Sequence, residues 1–444
     1  MEMNTDQQKD LIVALDIGTS KVCALAGCKN KHGKIEIVGI GKVDSTGVMR
    51  GVVTNIEKTV KAISDAIKSA ERQAKQTFKV VHVGIAGQHI KSLHHRGMLT
   101  RENMHSEINI QDIDKLIGDM HRLVLPPGDK ILHVIPQEYT VDSEQGILDP
   151  IGMSGVRLEG DFHIITGQIT ASNNLIKCVN KAGYKVADIT LEPLASADAI
   201  LSAEEKEAGV ALVDIGGGTT DISIFYEGIL RHTAVIPFGG EVITKDIKEG
   251  CTVMKNQAEK LKMKFGSALS EEVFDNRVIA IPGLKGRDPK EISEKNLALI
   301  IQARVEEILD YVVWQIRQSG YERKLIGGIV LTGGGALLRD IDKLTEFHTG
   351  MTARIGIPVE RLAHGNSEQV YSPIYATAIG LLSKGIEAVE AGKVKYSHTT
   401  PKPEEAMEVE EDTLAFAEES EGKWYVQLFK KTKEWFEAEP DTEY

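Results

Sequence analysis

Two stretches of this chain repeat one another nearly 200 residues apart: LIVALDIGTSKVCALAG at 11–27 and GVALVDIGGGTTDISIFYEG at 209–228. Each reads as an apolar run that ends in Asp, a Gly-rich turn with hydroxyls, and a second run that alternates apolar and polar residues with period two. That pattern is a strand, a turn and an antiparallel strand. A third strand follows in both copies, at 34–43 and at 229–240, so the spacing predicts two α/β halves that each open with a three-strand meander. A single small domain cannot hold this pattern.

Length and composition agree. With 444 residues, 42% of them hydrophobic and 26% charged, the chain can bury several cores. Cys23, Cys28, Cys178 and Cys251 form no Cys-x-x-Cys pair, which suits a reducing compartment. The net charge of -13 argues against holding nucleic-acid backbones by a generic positive field, so any phosphate must be bound locally. No run of about 18 apolar residues crosses a membrane, and the polar start MEMNTDQQKD has no secretory apolar core.

The rest of the chain divides by pattern. An amphipathic helix at 56–75 packs Val60, Ile63, Ala66, Ile67 and Ala70 on the first sheet. The expected organisation is a first-lobe core at 8–83 and 167–205, interrupted by a small subdomain at 84–166. A second-lobe core follows at 206–241 and 293–357, interrupted by a subdomain at 242–292, with a return to the first lobe at 358–392. Within this scheme a strand is expected at 162–170, a helix at 174–182 and a long helix at 293–318. The segment 393–421 carries Pro and nine acidic residues between Glu404 and Glu421 with few large apolar groups, the composition of a disordered linker. After it, 422–438 places Trp424, Tyr425, Leu428, Phe429, Trp435 and Phe436 at helical spacing, with Lys430 and Lys431 off that stripe. Such an aromatic and basic helix suits an anionic membrane interface, where each Lys contributes about 1 kcal/mol beyond apolar burial. Docking of the same helix into a protein groove is the competing reading.

The turns carry the chemistry. Backbone N–H groups at Gly18, and at Gly216, Gly217 and Gly218, can approach phosphate oxygens without a Cβ in the way, and Thr19, Ser20, Thr219 and Thr220 add hydroxyl donors. Asp16 and Asp214, facing each other across a cleft, suit hydrated Mg²⁺, which prefers one or two carboxylates plus phosphate. Lys21 adds a point charge for a terminal phosphate. One such turn alone is an ordinary hairpin; two at the heads of two halves are not. Neither is a dinucleotide or P-loop motif, because a strand and not a helix follows. A third turn, Gly333, Gly334 and Gly335 with Leu337, does precede a helix and offers bare backbone to a base and ribose. His94 and His95 lack metal-site spacing.

These motifs resemble the first-phosphate, second-phosphate and adenosine elements of the actin, sugar kinase and heat-shock chaperone superfamily. LEPLASADAIL at 191–201 and YSPIYATAIGLL at 371–382 resemble its two hinge segments. The resemblance implies a two-lobed actin-like ATPase fold of duplicated RNase H-like domains, here with inserted small subdomains and a C-terminal amphipathic helix. It assigns Gly239 and Gly240 to the cleft, Glu259 and Lys262 to a clamp on ribose and adenine, and Glu192 to the place of a water-orienting carboxylate. Within the superfamily, 132–167 and the strings VDIGGGTTDISIF, LRHTAVIPFGGEVITKDI and GGIVLTGGGALL narrow the match. They resemble the FtsA family of bacterial cell-division proteins. That resemblance implies binding of ATP with Mg²⁺, slow hydrolysis at most, self-assembly into filaments and the inserted subdomain called 1C. It also implies the tubulin-like ring protein FtsZ and other division proteins as partners, FtsZ docking at 242–290, and a peripheral place on the cytoplasmic face of the membrane at the division site. A pilus-assembly adaptor and a small-molecule kinase of the same fold are the alternatives.

Overall fold

The computed structural model describes residues 11–101, 106–274, 277–281, 289–363 and 366–392. The acidic linker and the aromatic, basic helix expected at 393–438 lie outside the described residues. Those residues begin with the expected meander: β1 (Ile12–Ile17), β2 (Lys21–Lys29) and β3 (Ile35–Asp44). All of β1 is buried, which is why it reads as an unbroken apolar run instead of alternating. A small hairpin, β4 (Val48–Met49) and β5 (Val52–Val53), leads to α1 (Ile56–Ala74). The Asn55 side chain caps α1 by accepting from Lys58 N–H, and Ala62, Ile63, Ala66, Ile67 and Ala70 form its buried stripe. Val60 is only half buried.

β6 (Val80–Ile85) runs parallel to β1, and the chain then leaves the first sheet. It builds β7 (Lys91–Thr100), α2 (Ile110–Met120), β8 (Asp129–Val141), β9 (Glu144–Ile147) and β10 (Arg157–Gln168), with sheet order β7-β10-β8-β9. The strand expected at 162–170 thus starts earlier and stops sooner. Ile169 and Thr170, β-branched and read as strand, open the helix α3 (Ile169–Lys181), whose buried Ala171, Leu175, Cys178 and Val179 set the register. β11 (Lys185–Leu191) completes a five-stranded sheet in the order β11-β6-β1-β2-β3.

After α4 (Glu192–Ile200) and α5 (Ala203–Ala208) the same plan repeats. β12 (Val210–Ile215), β13 (Thr220–Tyr226) and β14 (Ile229–Ile236) form the second meander. α6 (Gly240–Gly250) and α7 (Lys255–Phe265) follow, then the hairpin β15 (Val278–Ile281) and β16 (Lys290–Ser293) and the long α8 (Glu294–Ser319). β17 (Ile329–Thr332), α9 (Ile341–Thr349) and β18 (Ala353–Ile355) close a sheet in the order β14-β13-β12-β17-β18. Read from meander to parallel strands, the two sheets have the same order. The sequence pattern hid α6, because Val242, Ile243, Thr244 and Ile247 are β-branched; only the burial of Ile243, Thr244 and Ile247 reveals its helical period.

α10 (Ala376–Glu390) returns to the first lobe and packs on its sheet beside α4. A shared core joins α4 and α10 to Val210, Leu212 and Phe225 of the second lobe. α1 and α3 cover the opposite face of the first sheet. The inserted sheet also touches the second lobe. Gln137 Nε2 donates to Leu230 O at 2.9 Å, Ser92 Oγ donates to Thr233 O at 3.1 Å, and His163 Nε2 lies 3.0 Å from Thr233 Oγ1.

Candidate nucleotide cleft

Both phosphate-type turns form where the sequence places them, between β1 and β2 and between β12 and β13. In each, the first glycine closes the turn: Gly18 N–H donates to Lys21 O and Gly216 N–H to Thr219 O, both at 2.9 Å. The turns face one another closely. A Cβ on Gly217 would stand 2.9 Å from Ser20 Oγ, and one on Gly218 would stand 2.7 Å from Thr19 Oγ1. These glycines therefore let two lobes approach, a second role beside presenting N–H groups. Gly51 N–H also donates to Thr19 Oγ1 at 3.3 Å, so the small hairpin braces the first turn.

The electrostatics are crowded with acid. Asp16 is buried and forms a 2.5 Å ion pair with Lys21. Read separately in the sequence, as metal holder and phosphate charge, the two residues meet in one pair. Burial disfavours the Lys21 charge, but Asp16, with smaller help from Cys23 and Asp214, outweighs it and raises the Lys21 pKa. Burial pushes Asp214 up to about 6, even though Ser196 and Thr377 donate to its carboxylate. Burial and then the nearby Asp214 push Asp221 up to about 7 against a hydrogen bond from Thr219, and Asp221 Oδ1 is buried without a partner. Burial, followed by Asp16, Asp221 and Asp214, holds Glu192 well above the usual carboxylate range. Asp16, Asp214 and Glu192 thus share one lysine, with Asp221 beside Asp214. A divalent cation is the ligand that would relieve them.

The donor set fits such an ion held through water and phosphate. Among the described residues no three His, Cys, Asp or Glu side chains converge to ligate a metal directly. Mg²⁺ bound this way keeps most of its hydration shell, as it prefers to.

The third turn lies beside the second. Gly333 has φ +82, a conformation that disfavours a side chain, and its missing Cβ leaves room for the Asp214 carboxylate and Ile215 O. Gly335 and Leu337 then form a single 3₁₀ turn before α9, and Leu337 is exposed. Glu259 and Lys262 pair at 2.9 Å on α7. Lys262 Nζ also donates to Gly240 O at 2.8 Å and to Thr244 Oγ1 at 2.7 Å, tying α7 to the start of α6 next to the second turn. Gly240 N–H in turn donates to Gly216 O at 2.9 Å. The predicted cleft residues of the second lobe are one connected set.

Sequence reasoning missed Asp221, Ser196, Thr377 and Thr244. Asp221 sits two residues past Thr219 and reads as a strand position. Ser196 had a signal: it is the one polar residue on the buried face of α4.

Two like sheets, each opening with an Asp-led turn and facing across a hinge of two helices, define a two-lobed actin-like fold. Solved structures share it: a PilM-PilN type IV pilus biogenesis complex (TM-score 0.62, 15% identity, 84% of this chain and 98% of that one). MreB5 of Spiroplasma citri bound to ADP is also similar (TM-score 0.51, 17% identity, 86% and 98%). The family described as "Cell division protein FtsA" matches residues 211–380, and "SHS2 domain inserted in FTSA" matches 87–166. Cell division protein FtsA of Pseudomonas aeruginosa is 41% identical over 390 residues, covering 88% of this chain and 93% of its own. That of Neisseria meningitidis is 42% identical over 378 residues (85% and 90%), and that of Escherichia coli K12 is 36% identical over 389 (86% and 91%). The chain belongs to the FtsA family of actin-like cell-division proteins. No helix among the described residues is long and apolar enough to cross a membrane.

Proposed function

We propose that this protein binds Mg-ATP between its lobes, polymerises, and tethers the FtsZ ring to the cytoplasmic face of the membrane through its C-terminal amphipathic helix. The observation that carries the reading is the acidic cleft, where Asp16, Asp214, Asp221 and Glu192 cluster between two glycine turns and Lys21 pairs with Asp16. A free nucleotide would meet net repulsion there; a metal-nucleotide complex would not. Gly18 and Gly216 to Gly218 with Thr19, Ser20, Thr219 and Thr220 hold the phosphates. Asp16 and Asp214 hold the hydrated ion. Gly333 to Gly335, Leu337, Glu259, Lys262, Gly239 and Gly240 take the nucleoside.

Mg²⁺ supplies charge neutralisation when bound. Lys21, now paired with Asp16, would add the terminal phosphate as a second anionic partner. Glu192, at the first turn of α4, takes the water-orienting role in this reading; the burial and neighbouring carboxylates that raise its pKa disfavour the charged form that would accept the water's proton, in keeping with slow turnover. Nucleotide then acts chiefly by selecting the closed, polymerising conformer. Many weak helices on one filament bind a membrane far more tightly than one.

The domain boundaries given above are part of this proposal, as is docking of FtsZ on the 242–290 insertion. Beside that segment Lys264, Phe265, Arg277, Val278, Glu294 and Arg339 line a pocket near exposed Phe274 and Met263; Glu294 pairs with both arginines, so the surface offers a partner apolar side chains in mixed-charge surroundings. Co-sedimentation and electron microscopy with anionic liposomes test the whole. Membrane-bound filaments that need both Mg-ATP and residues 422–444 are expected; a protein that ignores lipid and nucleotide overturns the reading.

A further inference from the structure

We infer that Ser196 and Thr377 form a two-hydroxyl latch that positions Asp214, so that the second lobe's cleft carboxylate is held by the two helices of the hinge. The inference rests on the nucleotide-cleft reading above. Asp214 lies next to the end of β12 in the second lobe, whereas α10 packs on the first sheet and α4 lies between α10 and strands of both sheets. Ser196 Oγ donates to Asp214 Oδ2 at 3.0 Å, Thr377 Oγ1 donates to the same oxygen at 3.5 Å, and the two hydroxyls lie 3.0 Å apart. Both bonds therefore fall on Oδ2, while Oδ1 faces Gly333 of the third turn.

The surroundings make the hydroxyls hard to explain otherwise. Ser196 is fully buried and Thr377 is 8% exposed, among Ala195, Ala197, Ala378 and Ile379. A buried hydroxyl without a partner is destabilising, so packing alone would favour Ala and Val at these positions. The helices approach so closely that a Cβ on Gly380 would overlap the Ala195 carbonyl. α4 and α10 thus form a closely packed pair, and rotation of the second lobe about it would slide Asp214 away from both hydroxyls. Lobe angle and carboxylate position become one variable. Ser196 and Thr377 are positioning residues in this scheme: they act on the bound nucleotide only through Asp214.

The test is a titration of the full-length protein with ATP at fixed Mg²⁺, comparing wild type with Ser196→Ala, Thr377→Val, Thr377→Ser and Asp214→Asn, singly and paired. Ser196→Ala is expected to weaken binding about tenfold, the size of one lost hydrogen bond to a charged group, and Thr377→Val about threefold. Thr377→Ser keeps the hydroxyl and stays within about twofold of wild type. In an Asp214→Asn background, Ser196→Ala adds much less than it does alone. Wild-type binding with unaffected Ser196→Ala and Thr377→Val overturns the latch, and so does a Thr377→Ser loss as large as that of Thr377→Val, which would mark packing as the cause. Absence of Mg-ATP binding by the wild type is a separate outcome: it removes the nucleotide reading and the latch with it.

Discussion

The two Asp-led turns have nearly the same sequence and opposite electrostatic support. Asp16 sits in a 2.5 Å ion pair with a lysine five residues on, part of its own hairpin. Asp214 has no such lysine, because Thr219 stands where the first turn has Lys21. It depends instead on neutral hydroxyls from the hinge helices, with Asp221 close by. Duplication preserved the backbone turn while the neighbours diverged. One lobe carries its own counter-charge; the other borrows its support across the hinge, which makes the second turn sensitive to how the lobes sit.

The largest effect should come from removing the first turn's cation. Lys21→Met leaves Asp16 buried without its partner, and chemical denaturation should show a loss of about 3 kcal/mol. Lys21→Met combined with Asp16→Asn should regain most of that stability and still bind no Mg-ATP. Equal stability of Lys21→Met and wild type would contradict the asymmetry.

Next is the contact between the turns. Gly217→Ala should lower Mg-ATP affinity by roughly tenfold, because its Cβ would stand 2.9 Å from Ser20 Oγ and push the two turns apart. Gly217→Ala with Ser20→Gly should recover the steric part of the loss, binding better than Gly217→Ala but no better than Ser20→Gly alone, which lacks a phosphate donor. Failure of that rescue would mean the glycine serves the ligand alone.

The pH response of the second turn has a definite sign. Asp214 near 6 and Asp221 near 7 bind protons in the folded state that the unfolded chain has released from its ordinary carboxylates. Their contribution to apo-protein stability is therefore present at low pH and lost as pH rises through 6 to 7. Mg-nucleotide must displace those protons, so its affinity should rise across that window, by at most about tenfold per pH unit for each proton released. Isothermal titration at several pH values reads this, and Asp221→Asn should flatten the profile.

The smallest effect lies away from the cleft, where the inserted sheet meets β14. Burial, then His94 and His232, push His163 down to about 3. The folded protein resists a proton that the unfolded chain accepts near 6.5, so stability should fall as pH drops below that value. The slope is at most about 1.4 kcal/mol per pH unit. Thermal melts of His163→Asn between pH 7 and 5 should show a shallower decline than wild type.

Much of this molecule was legible before its fold was known. The repeated buried runs gave both meanders, because strands covered on both faces advertise themselves by unbroken apolar residues, as β1 does. The glycine turns were legible for the same local reason. α6 was not, since β-branched Val242, Ile243 and Thr244 mimic a strand, and the start of α3 was misread through Ile169 and Thr170. Within the cleft, Asp16 and Asp214 could be read from their turns, but Ser196, Thr377 and Asp221 acquire meaning only through contacts across the hinge or the sheet. No local pattern encodes a hydroxyl 18 or 163 residues from the carboxylate it holds.

The most direct test of the cleft is isothermal titration of the purified full-length protein with ATP, once with Mg²⁺ and once with EDTA. A cleft with four clustered carboxylates and one lysine predicts binding with Mg²⁺ and a loss of at least about a hundredfold without it. Equally tight binding in EDTA would contradict the account, because the nucleotide would then be held somewhere other than between Asp16 and Asp214.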